Sequence, residues 1–389
     1  MLFPVSPCIL RCGLAAILEF KSSPPSVPCL ARLFSDLPSE LRLDTFLQEN
    51  QKWLERIEQE TLLKEDALFC ALLNEKINRE VLSAIADALR DVIRKEEKRW
   101  DLGEKENAVL VRLRDIAWKI EKEHLSNWRA MERLASGPMD GLPFRSIKSY
   151  RRINTLFNML DRLEIRGRDS AGISFVVPFS RDGYASFEKN LAKENLDEEL
   201  GRRLGLQDLV STSVKKYELE NEVRLSFVFK VCAEIGKLGD NVKELKNAVK
   251  KDLVFHRALS WGCEPITYLA HTRWASNGII NIFNCHPLDN EVLVGEEDEG
   301  VRSVLEIKEG HSIYPKNGHI FVVLNGDIDN YESLKSEFER TGISVPSKIT
   351  TDAKFIALKI QEGVVKGASL KEAFRMAVQS FSGSHEIGR

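Results

Sequence analysis

No run of roughly eighteen or more apolar residues occurs anywhere in this chain, so no segment is expected to span a bilayer. Charge of one sign is missing as well. The 56 Lys and Arg against 59 Asp and Glu leave a formal net charge of -3. No global field draws the chain to nucleic acid or to an anionic membrane, and neither is expected as a partner. The seven cysteines (Cys8, Cys12, Cys29, Cys70, Cys232, Cys263, Cys285) are an odd number, form no CxxC pair, and sit in a chain too large to need disulfide staples. A reducing, cytoplasmic setting is the expectation. No fixed-period repeat or low-complexity tract is present. A clean secretory signal is lacking too, because Pro4, Pro7 and Arg11 interrupt the opening apolar stretch.

What is there is a 389-residue chain with 43% hydrophobic residues, enough for one large domain or two ordinary ones. Residues 12–20 (CGLAAILEF) read as a short buried strand, and the Ser/Pro-rich KSSPPSVP after them as a loop. From about Leu43 to Ala135, apolar residues such as Leu82, Ile85, Leu89 and Val92 recur at three- and four-residue spacing, which predicts amphipathic helices with solvated charged faces. Gly137, Pro138, Gly141 and Pro143 mark a boundary. A helix is expected over Ser149–Leu163 and a strand over Gly172–Phe179. A second charged tract, roughly Ser186–Lys251, reads as helical. Beyond it, short apolar segments (Thr267–Ala270, Ile279–Phe283, Glu291–Val294, His319–Leu324) are followed by helical patterns over Tyr331–Arg340, Thr351–Gln361 and Leu370–Phe381. The expected organisation is an α/β domain in three pieces, 12–35, 148–183 and 263–389, interrupted by helical insertions at 36–147 and 184–262.

Four islands carry residue types that suit a polar amino acid better than a core. Cys12-Gly13 sets a soft nucleophile beside open backbone. Arg166-Gly167-Arg168-Asp169-Ser170-Ala171-Gly172 offers two arginines around a glycine, a carboxylate-binding pattern as well as a plain surface turn. His271-Thr272-Arg273-Trp274-Ala275-Ser276-Asn277-Gly278 makes a poor core and a good rim, with an arginine beside a tryptophan to clamp a carboxylate. Leu324-Asn325-Gly326-Asp327 reads either as a type I′ turn or as an Asn amide and a Gly N–H aimed at an oxyanion. Thr351-Asp352 then precedes a helix, as an ordinary N-cap or as a holder of an ammonium group. Cys263, His271, Cys285 and His286 fall in one stretch, but their spacing matches no zinc pattern, and no metal is expected.

In order, these islands resemble the motifs of the class II glutamine amidotransferases: CGIxG, YRGxDSAG, HTRWATHG, HNGxIxNY and TDTE, against CGLAA, IRGRDSAG, HTRWASNG, LNGDIDNY and TTDAK here. HTRWA is closer to the glucosamine-6-phosphate synthase branch. The resemblance covers roughly half the chain and leaves out the two helical tracts. It implies an N-terminal-nucleophile αββα sandwich with helical insertions, and glutaminase activity that passes ammonia to a sugar-phosphate isomerase domain or subunit.

By the same resemblance Cys12 is the nucleophile, with residues 1–11 removed as a propeptide or lying upstream of the true start. Asn325 and Gly326 hold the oxyanion, Arg273 pairs with the glutamine α-carboxylate, and Asp352 accepts its α-ammonium. Arg166, Trp274 and Ser276 complete the L-glutamine site, and no cofactor is implied. The sequence departs from the pattern at Asn277 and Leu324, each standing where the family has His. The family's GSYA segment is met only by Gly383-Ser384-His385. A glutaminase fold truncated at its C-terminus is therefore expected, and a degenerate binding or scaffold protein is the rival reading.

Overall fold

A computed structural model describes residues 13–18, 25, 30, 43, 46, 51–60, 65–206, 210–232, 237–275, 278–291, 293–294, 319–345, 347–383 and 385–388. The chain divides into two units, Lys21–Asn154 and a second made of Met1–Phe20 with Thr155–Arg389. No described helix is long and apolar enough to cross a membrane. Strand β1 (Gly13–Leu18) opens the described chain and belongs to the second unit.

The Lys21–Asn154 unit is helical. It holds α1 (Gln51–Glu60), α2 (Asp66–Asn74), α3 (Lys76–Glu96), α4 (Glu104–Trp118) and α5 (Ser126–Leu134), with a π-helical turn at Lys119–Leu125 joining the last two. The division between units falls inside α6 (Phe144–Leu163). On α3 the expected stripe of Val81, Leu82, Ile85, Leu89 and Val92 is buried while Glu80, Asp87, Arg90 and Asp91 face water. Each such aliphatic side chain withdrawn from water contributes about 1.5–3 kcal/mol. The one polar group in that stripe, Asn78, is satisfied: its Oδ1 accepts from the Leu30 N–H at 3.1 Å and its Nδ2 donates to the Leu72 carbonyl at 3.0 Å.

In the second unit the elements are β2 (Ser170–Ser180), α7 (Arg181–Lys193), α8 (Asp197–Leu204), β3 (Val214–Glu218), β4 (Glu222–Cys232), α9 (Asp240–Lys251), α10 (Leu253–Trp261) and β5 (Thr267–Arg273). Then come β6 (Leu293–Val294), β7 (Val323–Gly326), α11 (Tyr331–Arg340), β8 (Ile343–Ser344), α12 (Lys354–Val365), α13 (Leu370–Ser380) and β9 (His385–Gly388). An antiparallel five-stranded sheet runs in the order β1-β5-β2-β4-β3, and β6-β8 and β7-β9 form two-stranded pieces. The architecture is mixed α/β, compatible with the expected sandwich.

Because side chains alternate along a strand, register gives the sheet two unlike faces. Phe175 stands opposite both Phe227 and Tyr268. The Phe255 ring of α10 packs on this aromatic face, 4.7 Å from Phe175 and 5.2 Å from Phe227. Asp252 sets that helix in place by accepting the Phe255 N–H at 2.9 Å and pairing with buried Arg203 at 2.7 Å. The opposite face is the more polar one, though Val176, Val228 and Leu269 also lie on it. There Gly172 stands opposite His271 and Lys230, and Ser226 opposite Lys215.

One expectation needs correction. The tract 184–262, read as a helical insertion, contains β3 and β4, and β4 pairs along the whole of β2. A strand buried on both faces reads as a short apolar run that periodicity cannot separate from a helix. The charged helices α7 to α9 around it add to its helical appearance. The segment Ile279–Phe283 forms bends rather than a strand.

Candidate functional site

The motif islands meet near one end of the sheet, and each junction has a stated cause. Gly13 pairs with Thr272 of the HTRWA segment; Cys12 and Ser276 lie outside the described residues. The Arg166–Gly172 island packs under the same segment. A Cβ on Gly167 would fall 2.7 Å from the Thr272 carbonyl and 2.8 Å from the Arg273 carbonyl carbon, so only glycine lets the two backbones approach. Asp169 then locks them: its N–H donates to the Arg273 carbonyl at 3.1 Å, and its Oδ2 accepts the Ala275 N–H at 2.7 Å. Arg166 ends a 3-10 turn and is exposed.

Arg273 is 3% exposed while Trp274 beside it is 47% exposed, so the arginine points inward from a strand end and the indole lies at the surface. Arg273 Nη1 donates to the Ile279 carbonyl at 3.4 Å. Asn284 and Thr350 tie this loop to the Thr351-Asp352 island. The Ile279 N–H donates to Thr350 Oγ1 at 3.1 Å, Asn284 Nδ2 reaches both the Ile279 carbonyl and Thr350 Oγ1 at 2.9 Å, and the Thr350 N–H returns to Asn284 Oδ1 at 2.8 Å.

Asn325 and Gly326 do not form a hairpin turn. Both lie within β7, paired with Glu386 and His385, and Asn325 is buried. Gly326 has φ +133°, a conformation that disfavours any side chain. Asp352 binds the loop that follows: its Oδ2 accepts the Ile328 N–H at 2.7 Å, its Oδ1 the Ala353 N–H at 2.9 Å, and the Thr351 hydroxyl lies 3.2 Å from Oδ1. Burial raises the Asp352 pKa, and the Ile328 N–H and Thr351 hydroxyl oppose that shift.

Two buried histidines join β5 to β7. The His271 and His286 rings lie 4.4 Å apart, and His286 Nδ1 accepts the Leu324 N–H at 3.3 Å, which requires a neutral ring lone pair there. Burial lowers the His271 pKa to about 3, and burial followed by the nearby His271 holds His286 well below the usual range. Gly172 supports this stack, since a Cβ there would collide with the His286 carbonyl. Of the two cysteines in the same stretch, Cys263 is exposed and Cys285 buried.

Sequence reasoning missed a second polar cluster. Asp289, Glu291 and His319 converge on the polar side of the sheet, with Lys354 Nζ at 2.8 Å from Asp289 Oδ1 and Lys215 Nζ at 2.8 Å from Glu291 Oε2. Burial, then Asp289, pushes Glu291 up to about 7; burial and the two lysines hold His319 well below its usual range. The signal available in the sequence was Asp289-x-Glu291, two carboxylates on one side of an extended segment. A surface cleft of about 670 Å³, lined by Lys230, Cys232, Asn247 and Lys251 among others, includes none of the motif residues proposed to touch glutamine.

No family model matches the chain. A stretch of 155 residues, 40% of this chain, is 28% identical to the glutamine–fructose-6-phosphate aminotransferase (isomerizing) of Sulfurisphaera tokodaii, of which it covers 21%. Proteins of the same name from Staphylococcus aureus strain Mu50 and Pyrococcus horikoshii are 31% identical over 120 residues and 30% over 119, in each case 31% of this chain and 15% of the relative. Part of this chain is related to these aminotransferases. It spans 15–21% of the length of these relatives, which are enzymes by name.

Proposed function

We propose that the chain is a class II glutamine amidotransferase, an N-terminal-nucleophile sandwich whose glutaminase reaction supplies ammonia for making glucosamine 6-phosphate from fructose 6-phosphate. The carrying observation is the convergence of distant motif islands. Asp169 bonds Ala275 across 106 residues, the Leu324 N–H reaches His286, and Asp352 holds Ile328 beside Asn325 and Gly326. A surface turn and a helix cap would have no reason to meet.

In this reading Cys12, freed as the N-terminal residue, attacks the side-chain amide carbon of L-glutamine as a thiolate. The C=O electrons move onto oxygen, and the Asn325 amide and Gly326 N–H donate to that oxyanion. When the tetrahedral adduct collapses, the C–N bond breaks and the α-amino group of Cys12 delivers its proton to the departing ammonia. Water then cleaves the γ-glutamyl thioester to glutamate. Arg273 pairs with the substrate α-carboxylate and Asp352 receives the α-ammonium on the lone pairs its backbone donors leave free. Arg166 supports the site, Trp274 shields it and Ser276 offers a hydroxyl. A sugar-phosphate isomerase domain or subunit takes the ammonia.

The test is a glutaminase assay on protein whose N-terminus has been defined by intact mass. Cys12→Ala should abolish hydrolysis and leave glutamine binding in place, because Arg273 and Asp352 hold the amino-acid end. Asn325→Ala should lower kcat by about 10²–10³. An active Cys12→Ala protein would sink the mechanism.

A further inference from the structure

The cluster at Asp289, Glu291 and His319 lies outside every motif island, and the glutaminase reading gives it no work. We propose that it binds one divalent ion of the zinc class through Asp289 Oδ2, Glu291 Oε1 and His319 Nε2, tetrahedrally, with the fourth position open. The distances carry the first part of the argument. A tetrahedral ion bonded at about 2.1 Å keeps its donors about 3.4 Å apart. His319 Nε2 lies 3.4 Å from Asp289 Oδ2 and 3.4 Å from Glu291 Oε1, and the three donor atoms all lie within 4.8 Å of one another. Charge-assisted hydrogen bonds would draw such pairs to about 2.8 Å.

The second part is orientation. Each carboxylate has its outer oxygen held by a lysine, Asp289 Oδ1 by Lys354 and Glu291 Oε2 by Lys215, both at 2.8 Å. Those bonds turn the remaining oxygens toward the imidazole, as outer partners do at metal sites. The third part is an unmet need: the Asp289 side chain is 4% exposed, yet its Oδ2 accepts no hydrogen bond among the described residues. A buried carboxylate oxygen without a donor is costly, and a cation at the point where the donors converge removes that cost.

Two oxygens and one imidazole suit a borderline ion and not a thiolate-seeking one. The lysines already balance the two carboxylates, so the ion adds two positive charges and favours an anionic fourth ligand. Bound there, it would pin the Asp289–Glu291 segment to His319 and, through the lysines, to β3 and α12.

The full chain, stripped with a chelator, should be titrated with Zn2+ and separately with Co2+. Uptake of one ion per chain, a rise in Tm, and a four-coordinate Co2+ visible spectrum are expected. Asp289→Asn and His319→Ala should each weaken affinity by tenfold or more with the circular dichroism spectrum unchanged. If either fails to fold, Glu291→Gln carries the same test. No stoichiometric uptake, or uptake that the substitutions leave unchanged, would overturn the site. So would a Co2+ spectrum with sulfur charge-transfer bands, because the ion would then be on cysteine.

Discussion

Acidification should loosen the Thr155–Arg389 unit through its buried imidazole pair. His271 is fully enclosed, and burial first, with Arg273 acting the same way, holds its pKa at about 3; the Leu324 backbone opposes them. Among the described residues the charged groups that act on the pair are Arg273 and Lys230, both cationic. In the unfolded chain the same imidazole titrates near 6.5. The folded value is the lower one, so the unfolded state takes up the proton first. Stability is fully present above about pH 6.5 and falls as the pH drops toward 3.

Each pH unit in that window removes about 1.4 kcal/mol per histidine. Between about pH 6.5 and 4.5, His271 alone then accounts for roughly 2–3 kcal/mol, and His286 adds in the same direction. Against a typical stability of about 5–15 kcal/mol this is a large share. The assay is urea unfolding from about pH 7.5 to 4.5 for the native sequence and for His271→Gln. Other titrating groups are common to both proteins, so the difference in slope isolates one proton, about 1.4 kcal/mol per pH unit. Equal slopes below pH 6.5 would refute the reasoning.

Two further outcomes follow from packing. Gly172→Ala should cost about 1–3 kcal/mol or more in urea unfolding, because the methyl group meets the His286 carbonyl; an unchanged midpoint would show that the backbone there yields freely. Thiol alkylation of the native protein with peptide mapping should modify exposed Cys263 well before Cys70, whose pKa burial pushes up to about 12, and before Cys285, which burial also raises. Comparable labelling of Cys70 without denaturant would mean that the helical unit opens far more readily than its core implies.

Local chemistry made several features legible from the residues alone. The α3 stripe and the span Tyr331–Arg340 follow from apolar spacing, which tertiary contacts reinforce. The islands around Gly13, Asp169, Arg273, Asn325 and Asp352 stood out because their residue types fit no core. Their physical linkage was another matter. That Gly167 serves the close approach of two backbones, or that Asp169 accepts the Ala275 N–H, depends on residues far apart in the chain.

β4 was hidden because strand and helix give the same short apolar run once both faces are covered, and only its pairing with β2 separates them. The Asn325-Gly326 turn signal likewise yielded to a partner strand more distant than a hairpin allows. The Asp289-x-Glu291 spacing announces only two members of the carboxylate and histidine cluster: His319 lies well downstream, and the lysines come from β3 and α12. Composition and periodicity fix what each segment buries. Which buried charges meet is set by long-range register and by the packing of layers, because a buried charge must find its partner wherever the fold happens to bring one.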